Sequence, residues 1–126
     1  MTHRGQSLKI LVVDDHVPLL NLYHQVLSRW GHQVETVTSG TAAVTRVEHA
    51  AVSYDLVITD LAMPGMDGFT LRERLENIDH TLPVIAISSW VDHPDYANQV
   101  HEMFTEALVK PFQFEELRAV ISAVGD

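Results

Sequence analysis

Two adjacent aspartates, Asp14-Asp15, a third aspartate, Asp60, a serine pair, Ser88-Ser89, and the lysine of Lys110-Pro111 each stand where a short apolar run ends. Carboxylates brought together repel one another, and a hard divalent cation with oxygen ligands lets them stay ionised side by side. Magnesium is the ion to expect, because it keeps several waters and is readily shared with a phosphate, which suits phosphoryl transfer better than a structural cage. A carboxylate can itself be the nucleophile and become an aspartyl phosphate. Lys110 would then offset charge on the transferred group, and the Ser88 hydroxyl would donate to a phosphoryl oxygen. Taken singly, each residue is ordinary: an aspartate after a strand is often a helix cap or turn residue, and a lysine is usually a solvated one. The chemistry depends on all of them reaching one rim.

The elements that would bring them there are legible as an alternation. Four continuous apolar runs, Ile10 to Val13, Leu56 to Ile58, Val84 to Ile87 and Ala107 to Val109, have the composition of parallel strands covered on both faces, and are expected inside the sheet. Gln33 to Val37 mixes polar residues into its run and is expected at an edge. Between them, apolar residues recur at helical spacing. Leu19, Leu20, Tyr23, Val26, Leu27 and Trp30 mark a first helix, with Pro18 in its first turn and Gly31 at its stop. Further helices are carried by Ala43, Val44, Val47 and Ala50, by Leu71, Leu75 and Ile78, by Tyr96, Val100, Met103 and Phe104, and by Phe114, Leu117, Val120, Ile121 and Val124. Alternating strands and helices predict a doubly wound parallel α/β sheet, and in such sheets ligands bind beyond the carboxyl ends of the strands. That is where the candidate residues stand.

Composition removes several other function classes. The 126 residues suit one domain, expected to span 1–126 with no output domain in this chain. A formal charge of −9 would repel a phosphate backbone, which argues against direct nucleic-acid binding. With no cysteine, a disulfide framework, a thiolate metal site and a cysteine nucleophile are all excluded, and a reducing cytoplasm is the compartment expected. The polar stretch from Met1 to Lys9 and the short run after it predict neither a signal sequence nor a membrane span. Eight histidines, among them His3 and His16, show no metal-ligand spacing, although His16 follows the acidic pair closely enough to reach the rim of the pocket.

Four segments then match in order. Leu11-Val12-Val13-Asp14-Asp15, Asp60-Leu61-Ala62-Met63-Pro64-Gly65-Met66-Asp67-Gly68, Pro83 through Ser88-Ser89, and Val109-Lys110-Pro111-Phe112 together resemble the receiver domains of two-component response regulators, from Lys9 to Val124. The resemblance implies a flavodoxin-like, CheY-like (βα)5 fold with strand order 2-1-3-4-5, Asp60 as phosphoacceptor, and Mg²⁺ held by Asp15, Asp60 and the backbone carbonyl of Ala62, with Asp14 acting largely through water. It also implies a cis Lys110-Pro111 bond, and a sensor histidine kinase or histidine phosphotransfer protein as phosphodonor, with self-phosphorylation and self-dephosphorylation as the only turnover. The downstream partner is left unnamed.

Three departures from that pattern stand out. Ala107 occupies the position, three residues before the lysine, where receivers commonly carry the Tyr or Phe whose rotamer reports activation. Met103-Phe104 replaces the usual Gly-Ala before strand five, and Trp90 follows Ser88 by two residues, where polar side chains are frequent. Trp90 is open to two readings, loop packing or a part in the site. A haloacid-dehalogenase-like phosphatase would use a similar residue set but needs a second acid two residues after the nucleophile, where Ala62 stands. A receiver-like assembly surface without phosphorylation is the other alternative.

Overall fold

The apolar runs become strands because each can bury side chains on both faces at once. In the computed structural model, which describes residues 7–125, the strands are β1 (Lys9–Val13), β2 (Gln33–Val37), β3 (Leu56–Thr59), β4 (Val84–Ser88) and β5 (Glu106–Val109). They form one parallel sheet in the order β2-β1-β3-β4-β5. Five helices connect and follow them: α1 (Val17–Arg29), α2 (Gly40–Glu48), α3 (Gly68–Ile78), α4 (Ala97–Met103) and α5 (Phe114–Gly125). His3 lies outside the described residues.

Alternate residues of each strand feed opposite cores. Ile10, Val12, Leu56, Ile58, Ile85 and Ile87 point to the layer of α1 and α5, where Leu20, Tyr23, Leu27, Leu117 and Ile121 meet them. Leu11, Val13, Val57, Val84 and Ala86 point the other way, toward Ala43 of α2, Leu71 and Leu75 of α3 and Val100 of α4. A strand sandwiched in this way has no polar face, so β1, β3 and β4 read as continuous apolar runs.

One expectation is corrected. The apolar run Ala107 to Val109 predicts an inner strand, but β5 pairs with β4 alone and forms the second edge. Leu108 is buried whereas Glu106 and Val109 are exposed. Three apolar residues are too short a run to tell a strand covered on two faces from one that buries a single side chain. Helix boundaries follow local chemistry. Pro18 sits in the first turn of α1, Gly31 beyond its end has φ +96°, and the Ser39 and Asp67 side chains accept from Ala42 N–H and Thr70 N–H to cap α2 and α3.

Candidate functional site

Parallel register aligns the strand ends. Val13 pairs with Thr59, and Asp60 N–H donates to the Val13 carbonyl at 3.1 Å, so Asp14 and Asp60 emerge side by side one residue later. Asp14 N–H in turn donates to the Val37 carbonyl of β2. Across the sheet Ser88 pairs with Val109, and Lys110 N–H donates to the Ser88 carbonyl at 3.2 Å. The backbone therefore delivers the hydroxyl and the ammonium to the rim already holding the acids. The Lys110-Pro111 peptide is cis.

Lys110 is the centre of the arrangement. Its Nζ donates to Asp60 Oδ2 at 2.7 Å and to Asp14 Oδ2 at 3.0 Å, joining residues 50 and 96 positions away in sequence. Burial works against the lysine's charge, but the hydrogen bonds and charges of the two aspartates outweigh it and hold the ammonium above its ordinary range. The other oxygens are held by backbone. Asp60 Oδ1 accepts from the Leu61 and Ala62 amides at 2.6 and 3.1 Å, and Asp14 Oδ1 accepts from His16 N–H at 2.9 Å. Asp14 is buried, at 2% exposure, whereas Asp15 is exposed. Beneath the acids lies Tyr23, whose phenol is pushed well above its usual range first by burial and then by the charges of Asp14 and Asp60. It stays protonated and adds no further charge.

The loop after Asp60 owes its path to two glycines. Gly65 has φ +78°, where a Cβ would be strained. Gly68 opens α3 against the loop: its N–H donates to the Leu61 carbonyl at 2.9 Å, and a Cβ there would meet the Asp60 carbonyl oxygen and lie 2.8 Å from Leu61 Cα. The motif containing Gly68 was visible in the sequence, but the contact that requires a glycine was not.

The predicted residues divide by placement. Asp14, Asp60 and Lys110 are in direct contact, and Ser88, at 1% exposure, joins them through the Lys110 amide. Ala62 reaches Asp60 through its own amide, and Asp15 stands on the rim next to Asp14. His16 is exposed and precedes α1 as its N-cap residue. Trp90 is half-buried. Its ring stacks on Tyr96 with centroids 4.7 Å apart and planes at 13°, and its backbone amide donates to Ser88 Oγ at 3.2 Å. The ring packs the loop, and the contact with the hydroxyl is made by the backbone amide. The Tyr96 partnership had no signal in the sequence beyond an aromatic at helical spacing.

As a donor set the rim is all hard oxygen, and its three carboxylates exceed the one ammonium, which suits a small divalent cation. Among the described residues no three acidic or histidine side chains enclose a point in space as a full protein cage would. An ion here would take part of its shell from elsewhere, as Mg²⁺ ordinarily does.

Comparison with known proteins agrees with the geometry. Residues 10–122 match the family profile of the response regulator receiver domain. The chain is 32% identical over 117 residues to the two-component response regulator PhoP of Pseudomonas aeruginosa, covering 93% of this chain and 51% of that protein. It is also 32% identical over 113 residues to the transcription factor SKN7 of Candida albicans, covering 90% of this chain and 20% of that protein. The chain thus spans about half or less of the length of these relatives. Among solved structures, the response regulator TrrA of Thermotoga maritima in complex with Mg²⁺ and BeF superposes with a TM-score of 0.79 at 26% identity, over 92% of this chain and 97% of that one. The receiver domain of a sensor histidine kinase from Pseudomonas aeruginosa, with magnesium coordinated in its active-site cleft, gives 0.82 at 25% identity, over 95% and 98%.

Proposed function

The chain belongs to the response regulator receiver domain family, and on that footing we propose that Asp60 is its phosphoacceptor, taking a phosphoryl group from a histidine kinase or histidine phosphotransfer protein. The observation that carries the reading is the Lys110 ammonium bridging Asp14 Oδ2 and Asp60 Oδ2 at the end of the central strands.

Each side chain has a part in the transfer. Asp60 Oδ1 is anchored by two amides, which leaves Oδ2 as the attacking oxygen. As the new O–P bond forms, the N–P bond of the phosphohistidine breaks and its electron pair returns to the imidazole nitrogen, which is protonated on leaving. Lys110 Nζ shifts from Oδ2 to an oxygen of the transferred group and offsets its charge. The Ser88 oxygen accepts from the Trp90 amide before transfer, and its hydroxyl turns to donate to a second phosphoryl oxygen. Mg²⁺ would be held by Asp15, Asp60 and the Ala62 carbonyl, with Asp14 contacting it through water, and would supply charge neutralisation for the phosphoryl oxygens.

The reading makes residues 1–126 one receiver unit, acting as a reversible switch whose only turnover is its own phosphorylation and dephosphorylation. The phosphodonor chemistry puts it in the cytoplasm. The charge of −9 supports a protein partner over nucleic acid. Among the described residues no helix is long and apolar enough to cross a membrane, and the reading needs none. Incubation with acetyl phosphate and Mg²⁺ tests the chemistry: a mass increase of one phosphoryl group that survives acid and is lost in mild base is expected. An adduct stable in base would belong to a hydroxyl ester and reject the aspartate.

A further inference from the structure

Helix α4 is only seven residues long, Ala97–Met103, and no side chain caps its N-terminus. A helix this short has little stability of its own, so its position is set by the buried Val100 and by what its ends touch. Its first hydrogen bond starts at Tyr96, whose carbonyl accepts from Val100 N–H at 2.9 Å, and its last residue is followed by Phe104. Both aromatic rings rest on Phe69 of α3, with centroids 5.9 Å away in each case. One turn along α3, Arg72 Nε donates to the Met103 carbonyl at 2.7 Å. The C-terminal end is therefore tied across to α3 by a hydrogen bond to a largely buried arginine, while the N-terminal end is held only by ring contacts and by its own loop, where the Tyr96 and Ala97 amides donate to the His93 carbonyl at 2.9 Å.

Besides Phe69, the Tyr96 ring meets His93 of its own loop, with centroids 5.4 Å apart, and Trp90, which leads back to the site. Trp90 lies flat on Tyr96, and the Trp90 amide donates to Ser88 Oγ. The Ser88 carbonyl accepts from both Lys110 N–H and Val91 N–H, so the backbone of Ser88 is fixed and only its hydroxyl can turn. Ala107, half-buried on the adjoining strand, packs in the same cluster as Trp90, Tyr96 and Met103 and is too small to wedge the two rings in place.

We infer that the Trp90-Tyr96 stack is the mechanical link between the Ser88 hydroxyl and α4, with Arg72 as the fixed point about which the helix moves. The inference rests on the Asp60 reading and deepens it. When the Ser88 hydroxyl turns to a phosphoryl oxygen, the Trp90 amide loses its acceptor geometry and the loop from Ser89 shifts. The stacked ring carries Tyr96 with it, and Tyr96 begins the helix. The Arg72 side chain is 11% exposed and its Nη1 has no hydrogen-bond partner among the described residues. A donor left over in this position favours a second arrangement in which a carbonyl near the end of α4 reaches it.

The test uses the full chain with beryllofluoride and Mg²⁺, in wild type, Trp90→Leu, Trp90→Phe and Tyr96→Leu. Fluorine NMR reports the adduct at Asp60, and amide hydrogen exchange over residues 97–103 reports the helix. With the adduct present in all four, exchange in α4 should change by about fivefold or more in wild type and in Trp90→Phe, which keeps a flat ring, the lower end of ordinary coupling between sites. It should stay near its starting value in Trp90→Leu and Tyr96→Leu. An α4 response of wild-type size in either leucine variant, with the adduct confirmed, overturns the link. If one of them loses protection in β1 and β3 and so fails to fold, the other decides. Absence of the adduct in wild type would instead reject the Asp60 reading itself, and the link with it.

Discussion

Lys110 has one ammonium for two carboxylates, and its removal is the most informative single change at the residue scale. Breaking a buried ion pair from one side costs about 3–5 kcal/mol, because the surviving charge is left without a partner. Asp14 is nearly inaccessible, but the Lys110 side chain is 24% exposed, so solvent screening brings the expected loss for Lys110→Ala down to about 2 kcal/mol. Millimolar Mg²⁺ should restore part of that loss, since a cation can replace the missing charge between the acids; urea unfolding with and without the ion measures both. The two adjacent aspartates should also separate. Asp14 spends its oxygens on Lys110 and the His16 amide, while Asp15 is exposed and free to bind an ion directly. Asp15→Asn is therefore expected to weaken Mg²⁺ binding more than Asp14→Asn does, and equal losses in titrations would remove the division between direct and water-mediated ligand. These residues were legible because chemistry constrains residue type at a strand end. Arg72 and Tyr96 were not, because nothing local distinguishes them from any helix residue.

Element packing explains where the sequence stops short. Strands β1, β3 and β4 declare themselves as apolar runs, and β2 declares its edge through Gln33 and Glu35. Strand β5 does not, since an Ala, a Leu and a Val say nothing about which faces are covered. Helix α4 is another case: Tyr96 and Phe104 have helical spacing with Val100, yet both serve as the residues flanking the helix, one on each side. Their apolar periodicity comes from a shared support on Phe69, and not from an unbroken helical stripe. The contact between α3 and the acceptor loop gives a sharp prediction. Because two of the three atoms nearest a Cβ at Gly68, the Asp60 carbonyl oxygen and Leu61 Cα, are backbone and cannot rotate away from an added methyl, Gly68→Ala should lose about 1–3 kcal/mol and displace Asp60. The check is a denaturant midpoint together with the initial rate of phosphorylation by acetyl phosphate; loss of neither would mean that the loop yields.

Across the whole molecule, the first strand is tied to the turn after α1 by His32, whose Nδ1 accepts from Leu8 N–H at 3.1 Å. Burial first, and the charge of Arg118 second, hold its imidazole below the usual range. A neutral ring is therefore favoured in the folded state, and the unfolded chain takes up the proton more readily. The stabilisation is complete above the unfolded value of about 6.5 and is lost as pH falls from there through the lower folded value. His32→Asn, which keeps an acceptor but cannot titrate, should flatten that part of the stability curve; an unchanged slope between pH 7 and 5 would place the acid sensitivity elsewhere. The sequence-level expectation of a parallel α/β sheet survives intact at this scale because five repeats of one pattern reinforce each other, whereas single contacts such as His32 to Leu8 depend on the closed fold. The central claim is that one carboxylate, Asp60, receives the phosphoryl group, and reductive trapping tests it most directly. After acetyl phosphate and Mg²⁺, borohydride should convert Asp60 alone to homoserine, as read by peptide mass mapping, and Asp60→Asn should give no trapped residue. Trapping at any other aspartate in the wild-type chain, or undiminished phosphate incorporation in Asp60→Asn, would contradict the account.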